Sequence, residues 1–120
     1  MRTSKNELHL INKFYELLIW TAKHVAKFPR SHKFTLGDRL QIRMQEVLET
    51  LITAKYRRDR LELLQQVNLQ LELLRFQFRA ANDLKCLSPS SYGFAARSVN
   101  EVGQLVGAWI KTSRAADNRT

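Results

Sequence analysis

Apolar residues recur every three or four positions along four segments of the chain, which is the spacing of amphipathic α-helices. These segments cover about residues 5–27, 36–56, 60–83 and 89–113. The stretches between them are short, and none alternates apolar and polar residues as a β-strand would. Because short connections place successive helices side by side in opposite directions, the pattern predicts an all-α protein. We expect an up-down-up-down four-helix bundle that forms a single domain over residues 1–120.

The third segment carries apolar side chains on two sides of one helix. At 100° per residue, one stripe contains Leu64, Val67, Leu71, Leu74, Phe78 and Ala81. A second stripe, about 160° away, contains Leu69, Leu73, Phe76, Ala80 and Leu84. A helix in a lone bundle needs one such stripe, and burying each large side chain of the other is worth roughly 1.5–3 kcal/mol. We therefore predict that Leu69, Leu73 and Phe76 contact another subunit; the alternative is one wide stripe inside a monomer.

The first segment is also apolar on two sides. Its main stripe contains Leu8, Ile11, Tyr15, Leu18, Ile19, Ala22 and Ala26 and is expected to face the core. Its second stripe contains Leu10, Phe14, Leu17 and Phe28, separated from the first by Thr21. We expect Leu10, Phe14 and Leu17 to join the oligomer interface. Two helices with two apolar sides each predict a homo-oligomer.

Positive charge dominates the chain and is concentrated in one part of it. Twenty Lys and Arg against eleven Asp and Glu leave a net charge of +9. Residues 23–60 contain ten of the basic and four of the acidic side chains. Such a field attracts polyanions, chiefly nucleic acid or an acidic protein surface. The first twenty residues lack a signal-peptide pattern and no apolar run is long enough for a membrane span, so we expect a cytoplasmic protein without membrane contact.

The sequence contains no recognisable catalytic or metal-binding set. None of the three histidines has a second ligand at the helical spacing that metal sites use. Cys86 is the only cysteine, so it cannot form an internal disulfide. A Gly-rich phosphate loop and a Ser-His-Asp set are also missing. We expect no catalytic residue, no metal and no cofactor, and therefore not an enzyme.

Basic side chains collect in the two turns that flank the second helix and on one strip of the third. Arg is favoured for phosphate because its guanidinium donates two parallel hydrogen bonds. Arg75 and Arg79 are spaced i, i+4 and either contact phosphate or pair with Glu72. The predicted nucleic-acid contacts are Arg30, Lys33, Arg57, Arg58, Arg60, Arg75 and Arg79.

Four stretches carry a resemblance to a known family. They are FPRSHKFTLGDRLQ at 28–41, YRRDR at 56–60, LELLRFQFRAANDL at 71–84 and YGFAARSVNEVGQLVGAW at 92–109. In these stretches the chain resembles the accessory variability determinant proteins of diversity-generating retroelements, relatives of the ribosomal RNA intervening-sequence proteins. The resemblance implies a ring-like, pentameric bundle that binds the element's reverse transcriptase and nucleic acid. It also implies a role without catalysis in mutagenic cDNA synthesis from template RNA.

Two other functions fit the same residues. The first is a structural adaptor whose positive surface binds an acidic protein and no nucleic acid. The second is a bundle protein of the ribosomal RNA intervening-sequence type, which only the genomic neighbourhood separates from the retroelement protein. Salt-dependent binding of RNA or DNA would favour the leading hypothesis over the adaptor, because phosphate contacts release counterions.

Overall fold

A computed structural model of the chain describes residues 5–118. Its long helices are α1 (Lys5–Val25), α2 (Asp38–Tyr56), α3 (Leu61–Asp83) and α4 (Pro89–Asn118). Each helix packs against the next, and α4 packs back against α1. The predicted all-α four-helix bundle is therefore confirmed for the described residues, as a rod of 52 × 22 × 21 Å. Within residues 5–118 no helix is long and apolar enough to cross a membrane.

The core is one cluster to which all four long helices contribute. The α3 stripe predicted to face it does so, since each of its six residues is at most 1% exposed. From α2 the buried residues are Leu40, Met44, Val47, Leu51 and Ala54. From α4 they include Ala95, Val99, Val102, Val106, Trp109 and Ile110. Burial of this shared cluster is what holds the helices together.

The two sides of α1 are exchanged relative to the prediction. Leu10, Phe14 and Leu17 are at most 2% exposed and lie in the core, whereas Tyr15 of the expected core stripe is 51% exposed. The placement of Leu10, Phe14 and Leu17 in an oligomer interface was wrong, because a side chain in the monomer core cannot contact a second subunit. Thr21 explains the exchange: it can be buried on this stripe because its hydroxyl donates to the Leu17 carbonyl at 2.7 Å.

The link between the first two long helices is helical, not a loop. After Pro29, residues Arg30–His32 form a helical turn and Lys33–Gly37 form a π-helical turn that leads directly into α2. Gly37 is required there because a Cβ at this position would lie 2.8 Å from Cγ1 of Val25. The second helical stretch therefore starts earlier than the predicted residue 36.

Helix α4 is longer than the predicted 89–113. It starts where expected, and the Ser88 hydroxyl accepts a hydrogen bond from the Ser91 N–H at 3.1 Å, as an N-cap does. It continues to Asn118, beyond the predicted end at residue 113. This part of α4 contains Ala115 and Ala116, the residue type with the highest helix propensity.

Candidate nucleic-acid interface and exposed apolar surface

The turn between α2 and α3 presents an exposed basic cluster. Arg57 and Arg58 are both exposed, and their guanidinium groups have no hydrogen-bond or ion-pair partner among residues 5–118. The Tyr56 ring beside them is 78% exposed. The Lys55 Nζ lies 5.0 Å from the centroid of this ring. Two free guanidinium groups next to an exposed aromatic ring form a surface that can bind phosphate and stack against a base.

Arg60 belongs to the same turn but points into the protein. It is 7% exposed, and its Nε donates to the Arg57 carbonyl at 2.8 Å. Its Nη1 lies 3.6 Å from a carboxylate oxygen of Glu7, and its guanidinium lies 5.5 Å from the Trp109 ring centroid. The prediction of Arg60 as a phosphate contact was wrong, because these groups from α1, α4 and the turn already occupy it. Arg60 instead fixes the backbone that carries Arg57.

The opposite end of the rod carries a second basic cluster. Arg30 is exposed, and Lys33 is half-buried with its Nζ 5.7 Å from the Phe34 ring centroid. Phe34 is itself 65% exposed, and Lys85 lies at the same end because successive helices are antiparallel. The rod is 52 Å long, so the two predicted turns do not form one site. An extended nucleic acid or several copies of the chain are needed to join them.

The two arginines of α3 differ in their surroundings. Arg75 is half-buried; its Nη1 donates to Glu72 at 3.1 Å and its Nε to Asn100 at 3.2 Å. Arg79 is exposed and has no such partner within the described residues. Of the two alternatives that the sequence left open, Arg75 therefore pairs with Glu72. Arg79 remains a candidate for phosphate.

Tyr56 and Phe34 are two further candidate contacts, which the pattern of charges along the sequence did not indicate. Each directly precedes or follows basic residues of a turn, and each is among the most exposed large apolar side chains. An aromatic residue among clustered cations is the signal that could have identified them, since single-stranded nucleic acid binds to such combinations.

The outer stripe of α3 is exposed to solvent. Leu69 is 61%, Leu73 is 37% and Phe76 is 59% exposed, and Leu84 at the end of the helix is 47% exposed. The alternative of one wide stripe buried inside a monomer is therefore wrong. Contiguous exposed apolar residues of this size are typical of surfaces that bind another protein. The contact of Leu69, Leu73 and Phe76 with a second subunit stays a prediction.

Cys86 and Glu101 have perturbed pKa values. Burial raises the pKa of the Cys86 thiol, which makes the thiolate scarcer at neutral pH. The hydrogen bond from Lys13 lowers the pKa of the exposed Glu101 carboxyl, as expected for a surface ion pair. Within residues 5–118 no three His, Cys, Asp or Glu side chains are placed to hold a metal ion.

Comparison with known proteins identifies the family. Residues 8–113 match the bAvd-like family, a range that includes nearly all of the four long helices and every stretch that carries the resemblance. Comparison with curated proteins and with solved structures finds no significant match. The chain therefore belongs to the bAvd-like family, and its resemblance to the accessory variability determinant proteins is confirmed.

Proposed function

We propose that the protein is a non-catalytic accessory protein of a diversity-generating retroelement. It binds the reverse transcriptase of the element together with template RNA or cDNA, in the cytoplasm, and supports mutagenic cDNA synthesis. Membership of the bAvd-like family supports the link to the retroelement. The net charge of +9 supports a polyanionic partner.

The proposed binding of nucleic acid rests on one observation: the guanidinium groups of Arg57 and Arg58 are exposed and have no partner among residues 5–118. In this proposal both guanidinium groups bind phosphate oxygens, and the exposed Tyr56 ring stacks against a base. Stacking on an aromatic ring requires an unpaired base, so the turn should bind single strands better than duplexes. Phosphate contacts and stacking do not distinguish one base sequence from another. Such binding suits a partner of a polymerase that copies a whole template.

Self-assembly completes the proposal. In a homo-oligomer, as in the pentameric ring that the family resemblance implies, the outer stripe of α3 is covered by a neighbouring copy. Each copy then adds its Arg57–Arg58 turn at one end of the rod and its Arg30–Lys33 turn at the other, so that like turns of several copies come together. Binding of one strand to several turns raises the effective concentration at the next, so weak single contacts give a useful affinity.

A titration of single-stranded RNA tests the nucleic-acid part. If six to ten phosphates of a single strand are contacted, the affinity should fall by roughly 300-fold to 10⁴-fold between 50 and 200 mM salt. The variant R57A/R58A removes two phosphate contacts from each bound copy. At about 0.7 per phosphate, the magnitude of the slope of log affinity against log salt should fall by about 1.4 for each bound copy. The matched control is R97A, which removes an exposed charge from the middle of α4 and should change the affinity little.

Co-purification with the reverse transcriptase tests the second part. The tagged protein should retain the enzyme after nuclease treatment if the two proteins contact each other directly. Retention of the enzyme together with no measurable affinity for free RNA or DNA would contradict the nucleic-acid part and favour the adaptor. Loss of the enzyme on nuclease treatment would contradict direct protein contact.

A further inference from the structure

A cavity lies between the start of α1 and the end of α4. Its volume is about 360 Å³, and sites for small molecules typically have volumes of about 300–1,000 Å³. Its apolar lining comes from Leu10, Leu105 and Ala108. Leu10 belongs to the core and Ala108 is exposed, so the cavity reaches from the core of the bundle to its surface. We call it the α1–α4 cavity.

Trp109 places a hydrogen-bond donor without a partner at this cavity. The residue lines the cavity and is only 6% exposed. Among residues 5–118 no group accepts a hydrogen bond from its indole N–H. In the same part of the chain, every side-chain N or O atom that is fully shielded from solvent has a partner. The Trp109 N–H therefore contacts accessible space, and the α1–α4 cavity is the space that its ring lines. A ligand with an acceptor at this place would satisfy the donor.

The remaining lining of the cavity is polar. The Asn6 amide offers donors and an acceptor, and the Thr112 hydroxyl donates to the Ala108 carbonyl at 3.0 Å and keeps its own acceptor capacity. Glu7 also lines the cavity, and its negative charge is compensated by the ion pair with Arg60. The cavity therefore suits a neutral ligand that is apolar over most of its surface and has donors and acceptors at its edge.

The cavity borders the basic turn between α2 and α3. Arg60 connects the two, because its Nε donates to the Arg57 carbonyl at 2.8 Å while its Nη1 lies 3.6 Å from Glu7. Its guanidinium also lies 5.5 Å from the centroid of the Trp109 ring. One Arg side chain thus spans the distance from the backbone of the turn to the lining of the cavity. A nucleic-acid strand held by Arg57 and Arg58 lies beside this cavity.

We propose that the α1–α4 cavity binds one unpaired nucleobase. A base is neutral, planar and largely apolar, and its edge has both donors and acceptors. Proteins bind the unpaired bases of single strands through these edges. In the cavity the Trp109 N–H donates to a ring nitrogen or carbonyl of the base, and the Asn6 amide completes the contact at its edge.

Other ligands fit the lining less well. A wholly apolar ligand would leave the Trp109 N–H without an acceptor, and a phosphate would meet the Glu7 carboxylate. The base comes from a strand or from a free nucleoside, since both present the same edge. The strand as source rests on the nucleic-acid binding put forward above, whereas the nucleoside as source does not.

The test follows the indole N–H resonances of the protein in a nitrogen–proton NMR spectrum. The chain contains two Trp residues, so the variant W20F assigns both resonances. Adenosine or uridine at millimolar concentration should shift the Trp109 resonance. The Trp20 resonance is the internal control and should not move, because its ring lies 5.0 Å from that of Phe94, near the other end of α4.

A matched pair of variants locates the site. A108F fills the cavity from an exposed position and should abolish the shift of Trp109. A116F makes the same change about two turns further along α4, at an exposed position outside the lining, and should leave the shift unchanged. If A108F lacks wild-type helicity by circular dichroism, T112F fills the cavity in its place, since Thr112 is also exposed.

The outcomes separate the source of the base and the two proposals. A single-stranded RNA that shifts the Trp109 resonance identifies a strand as the source, and a shift by nucleosides alone identifies free nucleosides. No shift with either ligand would overturn the proposal, and so would a shift that persists when the cavity is filled. The salt titration of RNA with R57A/R58A does not depend on the cavity. Loss of strand binding and failure of the base site are therefore distinguishable.

Discussion

Replacement of Arg60 by Ala should destabilise the fold without removing a phosphate contact. The Arg60 side chain is 8% exposed and that of its partner Glu7 is 14% exposed. The change removes the hydrogen bond to the Arg57 carbonyl and the contact with the Trp109 ring, and it leaves a carboxylate in a nearly buried place without this partner. R60A therefore tests whether this cation stabilises the bundle or binds a ligand.

The expected magnitude follows from these contacts. A hydrogen bond from a charged donor is worth about 1.5–3 kcal/mol. A partly desolvated cation over a Trp ring adds about 1–2 kcal/mol. Loss of one partner of a buried ion pair costs about 3–5 kcal/mol, which is an upper bound here because the 3.6 Å separation is long. These contributions overlap, so we expect the free energy of unfolding to fall by about 3 kcal/mol.

Thermal unfolding followed by circular dichroism measures this loss. At roughly 4 °C per kcal/mol for a chain of this size, the midpoint should fall by about 12 °C at equal protein concentration. R58A is the matched control, since it removes an exposed cation two positions away and should change stability by less than about 0.5 kcal/mol. The double variant E7A/R60A should lose less than the sum of the single losses. A fall of less than 2 °C in R60A would refute the structural role of Arg60.

Three further changes have expected outcomes of different sign. G107A should raise the free energy of unfolding by about 1 kcal/mol, because Gly107 is within α4 and a Cβ there meets nothing within 4 Å; a loss in urea titration would contradict an open position. G37A should lower it by 1 kcal/mol or more, since its Cβ would lie 2.8 Å from Cγ1 of Val25; unchanged stability would show that the π turn can shift. Y56A should weaken single-stranded RNA binding by about 1–3 kcal/mol and leave duplex binding unchanged; equal losses for both would exclude stacking.

Periodicity predicted most of the fold, because burial of a continuous apolar stripe determines which side of a helix faces the core. The α3 core stripe is the clearest case, since its six residues, of which Leu64 is the first and Ala81 the last, form one unbroken row and are all buried. In α1 the same reasoning predicted the wrong side to face the core, because Thr21 is polar and was not expected among core residues. Its hydroxyl is satisfied within its own helix, so the row from Leu10 to Val25 is continuous as well.

The candidate site depends on contacts that are distant in sequence. The sequence does not distinguish the three arginines of the turn at Arg57, Arg58 and Arg60. In the structure only Arg60 contacts Glu7 and Trp109, which lie about fifty positions before and after it in the chain. Arg43 is a similar example: its Nε donates to the Gln77 side chain at 2.8 Å and joins α2 to α3. Such pairings depend on how helices are placed against each other, which helical periodicity does not specify.

The π-helical turn at Lys33–Gly37 could not be predicted for the same reason. The spacing of apolar residues predicted a helix only from about residue 36. Instead, the Thr35 hydroxyl points back to the His32 carbonyl at 3.4 Å, and the close approach of Gly37 to Val25 determines the path of the chain. The basic side chains of this link are consequently held on helical turns and not on a flexible loop.

The mass of the purified wild-type protein at micromolar concentration tests most directly the claim that copies assemble through their exposed apolar faces and share a cationic surface. Light scattering should give a whole multiple of the 14.0 kDa chain, five times that value for the pentamer that the family resemblance implies. F76E should return the mass to that of one chain while its helicity is retained. A wild type that remains at 14.0 kDa would contradict the account.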